Sequence, residues 1–194
     1  MQLKRMFSTD DFKGTRGYLR TQKKYEMIRT VLYFAISLAL FIAGWISTGS
    51  RENLLTIVAV LGCLPACKSL VEMFMYLRYK GCDEGDAALI EAHTQGLTGL
   101  YDCVFTSYEK NFCIHHLTVC GNTICGYTAD PKFEEQAFYK HIQAILKKDN
   151  YRETSVKIFN DLDKYVKRCE QLKELPTQPE LTSGICQTLK SVSL

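Results

Sequence analysis

The chain has 194 residues, a net charge of +3 and nine cysteines. If a membrane takes about fifty of these residues, one modest domain with its own core remains. No two cysteines stand in C-x-x-C spacing, which excludes a signalled zinc knuckle or thioredoxin-like site, and in a cytosolic domain they read as reduced thiols rather than a disulfide framework.

Residues 1–29 form a basic, cytosolic N-terminal segment carrying Lys4, Arg5, Lys13, Arg16, Arg20, Lys23, Lys24 and Arg29. Gly14 and Gly17 break it, and a helix is expected from Thr21 onward. Residues 30–77 read as a transmembrane helical hairpin with spans at about 30–48 and 54–77. The first span has no charged residue over its whole length, enough for a helix to cross roughly 30 Å of hydrocarbon. A buried soluble helix is rarely so apolar for so long, and a cleaved leader has a shorter head and core. The bases before the first span, with Arg78 and Lys80 after the second, outnumber the single Arg51 in the link. That bias predicts an integral protein of a plasma or inner membrane with both termini cytoplasmic. The same bases could attract acidic headgroups, but orientation already accounts for them.

The second span carries the polar residues. Pro65 predicts a kink, and Lys68 and Glu72, four apart, share one helical face near the cytoplasmic end. They read as a partly hydrated ion pair near the interface, as an interhelical contact, or as the lining of an ion or substrate path. One hairpin cannot enclose a pore, so the last reading requires an oligomer.

Residues 78–176 read as a cytosolic α+β domain with element order α-β-β-β-α-β-α and a small mixed sheet. Asp83 caps a helix over 84–95 with Ala88, Leu89 and Ala92 expected inside. Strands follow over 100–107, 112–120 and 123–128, the first pair joined by the polar turn 108–111 and the second by Gly121-Asn122, a type II′ signal. Asp130-Pro131 predicts the start of a helix with a stripe of Ala137, Phe138, Ile142, Ile145 and Leu146. A short strand over 156–159 precedes a helix capped by Asn160 or Asp161, with Leu162, Tyr165, Val166, Cys169 and Leu172 on one face. Pro176 and Pro179 end it, and residues 177–194 are expected to be a flexible tail.

The order α-β-β-β-α-β resembles the core of restriction-endonuclease-like nucleases, and its first five elements resemble a double-stranded-RNA-binding domain. The nuclease motif requires acids and a lysine on the second and third strands, yet residues 111–129 contain no Asp, Glu, Lys or Arg. The RNA-binding pattern requires a basic helix start, where this chain has Asp130, Glu134 and Glu135. No nucleic-acid partner is expected.

Cys113 and His115 alternate to one side of the second strand, with His116 on the other and Cys103 on the neighbouring strand. Thiolate and imidazole suit zinc, the one metal the chain suggests; otherwise these residues are core and no cofactor is expected. No phosphate-binding, dinucleotide, nucleophile-elbow or zincin motif is present. The sequence therefore favours a non-enzymatic protein anchored in the lipid bilayer, whose cytosolic domain binds a protein partner or a second copy through an apolar patch. The alternatives are an oligomeric channel or transport component using Pro65, Lys68 and Glu72, and an enzyme or metal site on the Cys/His face.

Overall fold

The computed structural model describes residues 12–50, 52–108, 110–151, 153–176 and 178–194. Lys4 and Arg5 of the basic segment, Arg51 of the link and Glu109 of the turn lie outside them. Contacts divide the chain into two compact units. One spans Leu19–Lys80, and the other joins Gly81–Leu194 to the described residues 12–18.

The first unit holds two helices, α1 (Tyr18–Thr48) and α2 (Leu54–Arg78), each long and apolar enough to cross a membrane. Gly49, at φ +64°, ends α1, and Asn53 caps α2 by accepting the Thr56 amide at 2.8 Å. The helices meet through small residues. The Thr30 and Ser69 hydroxyls lie 2.9 Å apart, a Cβ on Gly62 would come 2.8 Å from Ser37 Oγ, and one on Gly44 would come 2.8 Å from Leu55 Cβ. These contacts step by seven residues along each helix in opposite directions, an antiparallel heptad seam. Ala59, Ala66 and Tyr76 are buried, while Val31, Ile36, Leu38, Ile46, Val60, Leu64, Val71 and Phe74 are exposed. Between Thr30 and Phe74, small and polar side chains therefore face inward and large apolar ones outward. α2 continues as α-helix through Pro65.

The second unit is a mixed four-stranded sheet among the described residues, with helices on both faces. Its strands are β1 (Thr98–Thr106), β2 (Asn111–Cys120), β3 (Thr123–Tyr127) and β4 (Ser155–Phe159), ordered β1-β2-β3-β4. The first two pairings are antiparallel and the last is parallel, reached by the crossover helix α4 (Glu135–Lys148), which follows α3 (Glu84–His93) in the helix series. Gly121 carries φ +54°, as a type II′ turn demands at that position. One face packs α4 and α6 (Pro179–Val192) through Phe105, Phe112, Ile114, Leu117, Phe138, Ile142, Leu146, Ile185 and Leu189. The other packs α3 and α5 (Leu162–Lys173) through Ile90, Cys125, Tyr127, Tyr165, Cys169 and Leu172. The β1 edge is covered. The Tyr101 amide donates to Gly14 O at 2.8 Å, and the Leu194 amide to Val104 O at 2.9 Å.

Three expectations are corrected. The tail expected over residues 177–194 is, over its described residues 178–194, a packed helix and not a flexible segment. Pro179 opens α6, and the apolar residues Ile185, Cys186 and Leu189, three and four apart, are buried against the sheet. α4 starts at Glu135, because Asp130 caps a turn instead, accepting the Lys132 amide at 2.9 Å. Phe133 then packs its ring 5.7 Å from Phe112 and 5.4 Å from Phe138, which resets the entry to the helix. On α3, Ala87 and Ile90 are buried, and Ala88, Leu89 and Ala92 are exposed. The Tyr127 hydroxyl donates to Asp86 at 3.0 Å and fixes that rotation.

Candidate functional site

The Cys/His face is built around a break in strand alternation. Asp102 has φ +54° inside β1, and the ladder continues on either side of Asp102 and His115 without making them a rung. Leu100 and Cys103 therefore both enter one core, as do Ile114 and Leu117. On the opposite side, the His115 ring lies 6.0 Å from Tyr127 and the His116 ring 5.8 Å from Tyr165. His116 thus turns to the same side as His115, contrary to the simple two-residue period. The Asp102 carboxylate is buried and accepts the Cys82 amide at 2.7 Å, which holds the start of this unit on the sheet.

This arrangement separates the proposed ligands. Cys103 pairs with Ile114 in the core, and Cys113, one residue before Ile114, pairs with Val104. The two thiols thus belong to opposite faces. His115 accepts the Ala129 amide at Nδ1, 3.1 Å away, so its proton sits on Nε2. Among the described residues, no group of three or more His, Cys, Asp or Glu side chains could hold a metal ion. Nor are Cys82, Cys103, Cys125, Cys169 and Cys186 poised as nucleophiles. Burial pushes Cys82 up to about 12 and Cys125 and Cys186 to about 11, and raises Cys103 and Cys169 as well.

His116 belongs to a closed polar network. The Tyr165 hydroxyl lies 2.6 Å from His116 Nδ1 and 2.6 Å from Thr118 Oγ1, and Thr118 is 3.7 Å from Cys169 Sγ. Burial lowers the His116 pKa to about 3 and raises that of Tyr165. A Cβ on Gly99 would lie 2.5 Å from His116 Nε2, so the ring is also covered from β1. The network fastens α5 to the sheet and leaves no room for a substrate.

In the helical unit, Glu72 is held chiefly from α1. Arg29 pairs with Glu72 and, at 2.5 Å, with Glu26, and its Nε donates to Ser69 at 3.2 Å. Lys68 stands 3.9 Å from Glu72 with 80% of its side chain exposed. Pro65 is also exposed. Lys68 and Glu72 are therefore adjacent, but the helix-to-helix tie is Arg29–Glu72, a partner that pattern spacing within one helix does not reveal.

Among the described residues, the second unit carries a cleft of about 270 Å³ beside Glu135, Asp161 and Lys164 and two larger ones. One of the larger two, about 510 Å³, runs between the β1–β2 turn and α4, beside Lys110, Glu134, Lys140 and His141. Its Lys110 is neutralised by Glu134. The other, about 460 Å³, is lined by Lys157, Phe159, Lys164, Lys167, Arg168 and Gln171. Lys164 has Asp161 at 3.5 Å; among the described residues, no carboxylate forms an ion pair with Lys157, Lys167 or Arg168. Residues 164, 167, 168 and 171 follow helical spacing opposite the buried Tyr165, Cys169 and Leu172. That stripe is legible in the sequence, whereas the approach of Lys157 depends on the β4–α5 packing. The exposed large apolar side chains of this unit are Leu89, Tyr108, Tyr139 and Leu175, on four different segments, so the expected apolar patch is not formed among the described residues.

Comparison with protein-family models, with curated proteins and with solved structures finds no match.

Proposed function

We propose that this is a non-enzymatic, integral membrane protein in which α1 and α2 form a transmembrane hairpin and carry the α+β unit as a binding module on the cytoplasmic side. One observation carries the reading: only 17% of each apolar helix window is buried. A soluble core helix of that hydropathy would be mostly buried, because leaving such apolar area in water costs about 25 cal/mol per Å². Outward apolar side chains over a seam of small residues are the arrangement a bilayer favours. Both termini are cytoplasmic on this reading, a side supported by the bases that precede Thr30 and by Arg78 and Lys80 at the end of α2. The Arg29, Glu26 and Glu72 cluster falls outside the charge-free stretch, at the end where ionised groups reach the headgroups.

The module binds a protein partner or a second copy, and it does so through polar surface, since its exposed apolar residues are scattered. Two experiments test the reading. Epitope tags at the two termini should resist added protease in intact cells and become sensitive on permeabilisation. Native mass measurement of the full chain in mild detergent should give a discrete homo-oligomer or a stoichiometric complex. A tag exposed outside intact cells contradicts the topology, and a lone monomer contradicts the binding role.

A further inference from the structure

Building on the membrane reading, we infer that the groove between β4 and α5 binds the phosphate of an acidic phospholipid headgroup. Four cations, Lys157, Lys164, Lys167 and Arg168, line one concavity of about 460 Å³. That volume lies within the roughly 300–1,000 Å³ typical of small-ligand sites. No carboxylate lines it. Like charges at Lys164, Lys167 and Arg168 stand three and four residues apart on α5, a spacing that disfavours an isolated helix. Asp161, 3.5 Å from Lys164, and Asp163, four residues before Lys167, offset part of that repulsion, and an anionic ligand in the groove relieves the rest.

The side chains are held for such a ligand. Arg168 Nη1 donates to Gln171 Oε1 at 2.9 Å, and the Lys157 ammonium lies 5.4 Å from the centroid of the Phe159 ring. Three of the four cations are lysines, point charges that suit a phosphate and need no planar bidentate partner. The source follows from the tether. Only Tyr79 and Lys80 separate the end of α2 from the start of the second unit, each adding at most about 3.6 Å of chain. A module held that close to a bilayer meets headgroup phosphate at high effective concentration, and each base near an acidic surface contributes about 1 kcal/mol.

The test places the full chain in nanodiscs of phosphatidylcholine, with or without phosphatidic acid, and reads lysine acetylation by mass spectrometry. Lys147 and Lys148, at the end of α4, serve as internal references. With phosphatidic acid, acetylation of Lys157, Lys164 and Lys167 should fall about fivefold relative to the references. Protection of Lys164 should disappear in the Lys157→Gln/Lys167→Gln variant. Inorganic phosphate added to phosphatidylcholine discs should not reproduce the effect. Equal acetylation in both discs, equal protection of the reference lysines, or protection by inorganic phosphate alone would each overturn the proposal. A chain that fails to enter the discs overturns the membrane reading itself, and with it the lipid source. A chain that enters without groove protection overturns the groove alone.

Discussion

The Tyr165 hydroxyl is the polar link on which the α5 face depends. It lies 2.6 Å from both His116 Nδ1 and Thr118 Oγ1, in surroundings from which water is excluded. Tyr165→Phe keeps the ring and removes that bridge, leaving a buried imidazole nitrogen and a hydroxyl to find other partners. The expected loss is about 1–3 kcal/mol, read from urea unfolding of the full chain in detergent. His116 adds a pH dependence. The folded chain holds it neutral to about pH 3, whereas the unfolded chain protonates near the ordinary 6.5. Its contribution is complete above about 6.5 and is lost as pH falls from there toward about 3, because the unfolded state binds the extra proton. The unfolding midpoint should fall as pH is lowered through that window, and His116→Gln should flatten this dependence. Undiminished slope in the variant would assign the effect elsewhere.

At the scale of elements, α6 completes one face of the sheet. Leu189 is fully buried there, so Leu189→Ala should cost about 2–5 kcal/mol by thermal unfolding; an exposed tail position would cost almost nothing. The α1–α2 seam makes the complementary prediction. Gly62→Leu drives a side chain into Ser37, with an expected penalty of about 1–3 kcal/mol and weaker engineered cross-linking between positions 30 and 69. Most element types were legible. Gly121-Asn122 marked the β2–β3 turn, Asp161 capped α5, and the stripe from Phe138 to Leu146 named the face of α4. What escaped was set by tertiary contacts. The polar sequence after Pro176 obscures the burial of Ile185, Cys186 and Leu189, whose partners are remote in sequence. Asp102 reverses strand alternation through a backbone state that no periodicity reports. Likewise, the i,i+4 rule found Lys68–Glu72 but could not find Arg29, which comes from the other helix.

For the molecule as a whole, the distribution of apolar surface decides the account. The second unit buries its large apolar residues in two clusters and shows only scattered exceptions, as a domain in water does. Between Thr30 and Phe74 the first unit reverses this, with alanines, glycine and hydroxyls inside and leucine, isoleucine, valine and phenylalanine outside. On the proposed reading one chain carries surfaces suited to two solvents, with Tyr79 and Lys80 leading from α2 into the second unit. The most direct test is alkaline carbonate extraction of membranes from cells producing the untagged chain, with its mass read in both fractions. The account predicts that the 22.2 kDa chain stays in the membrane pellet and leaves it only with detergent. Release of the intact chain into the alkaline supernatant as a monodisperse species would contradict it.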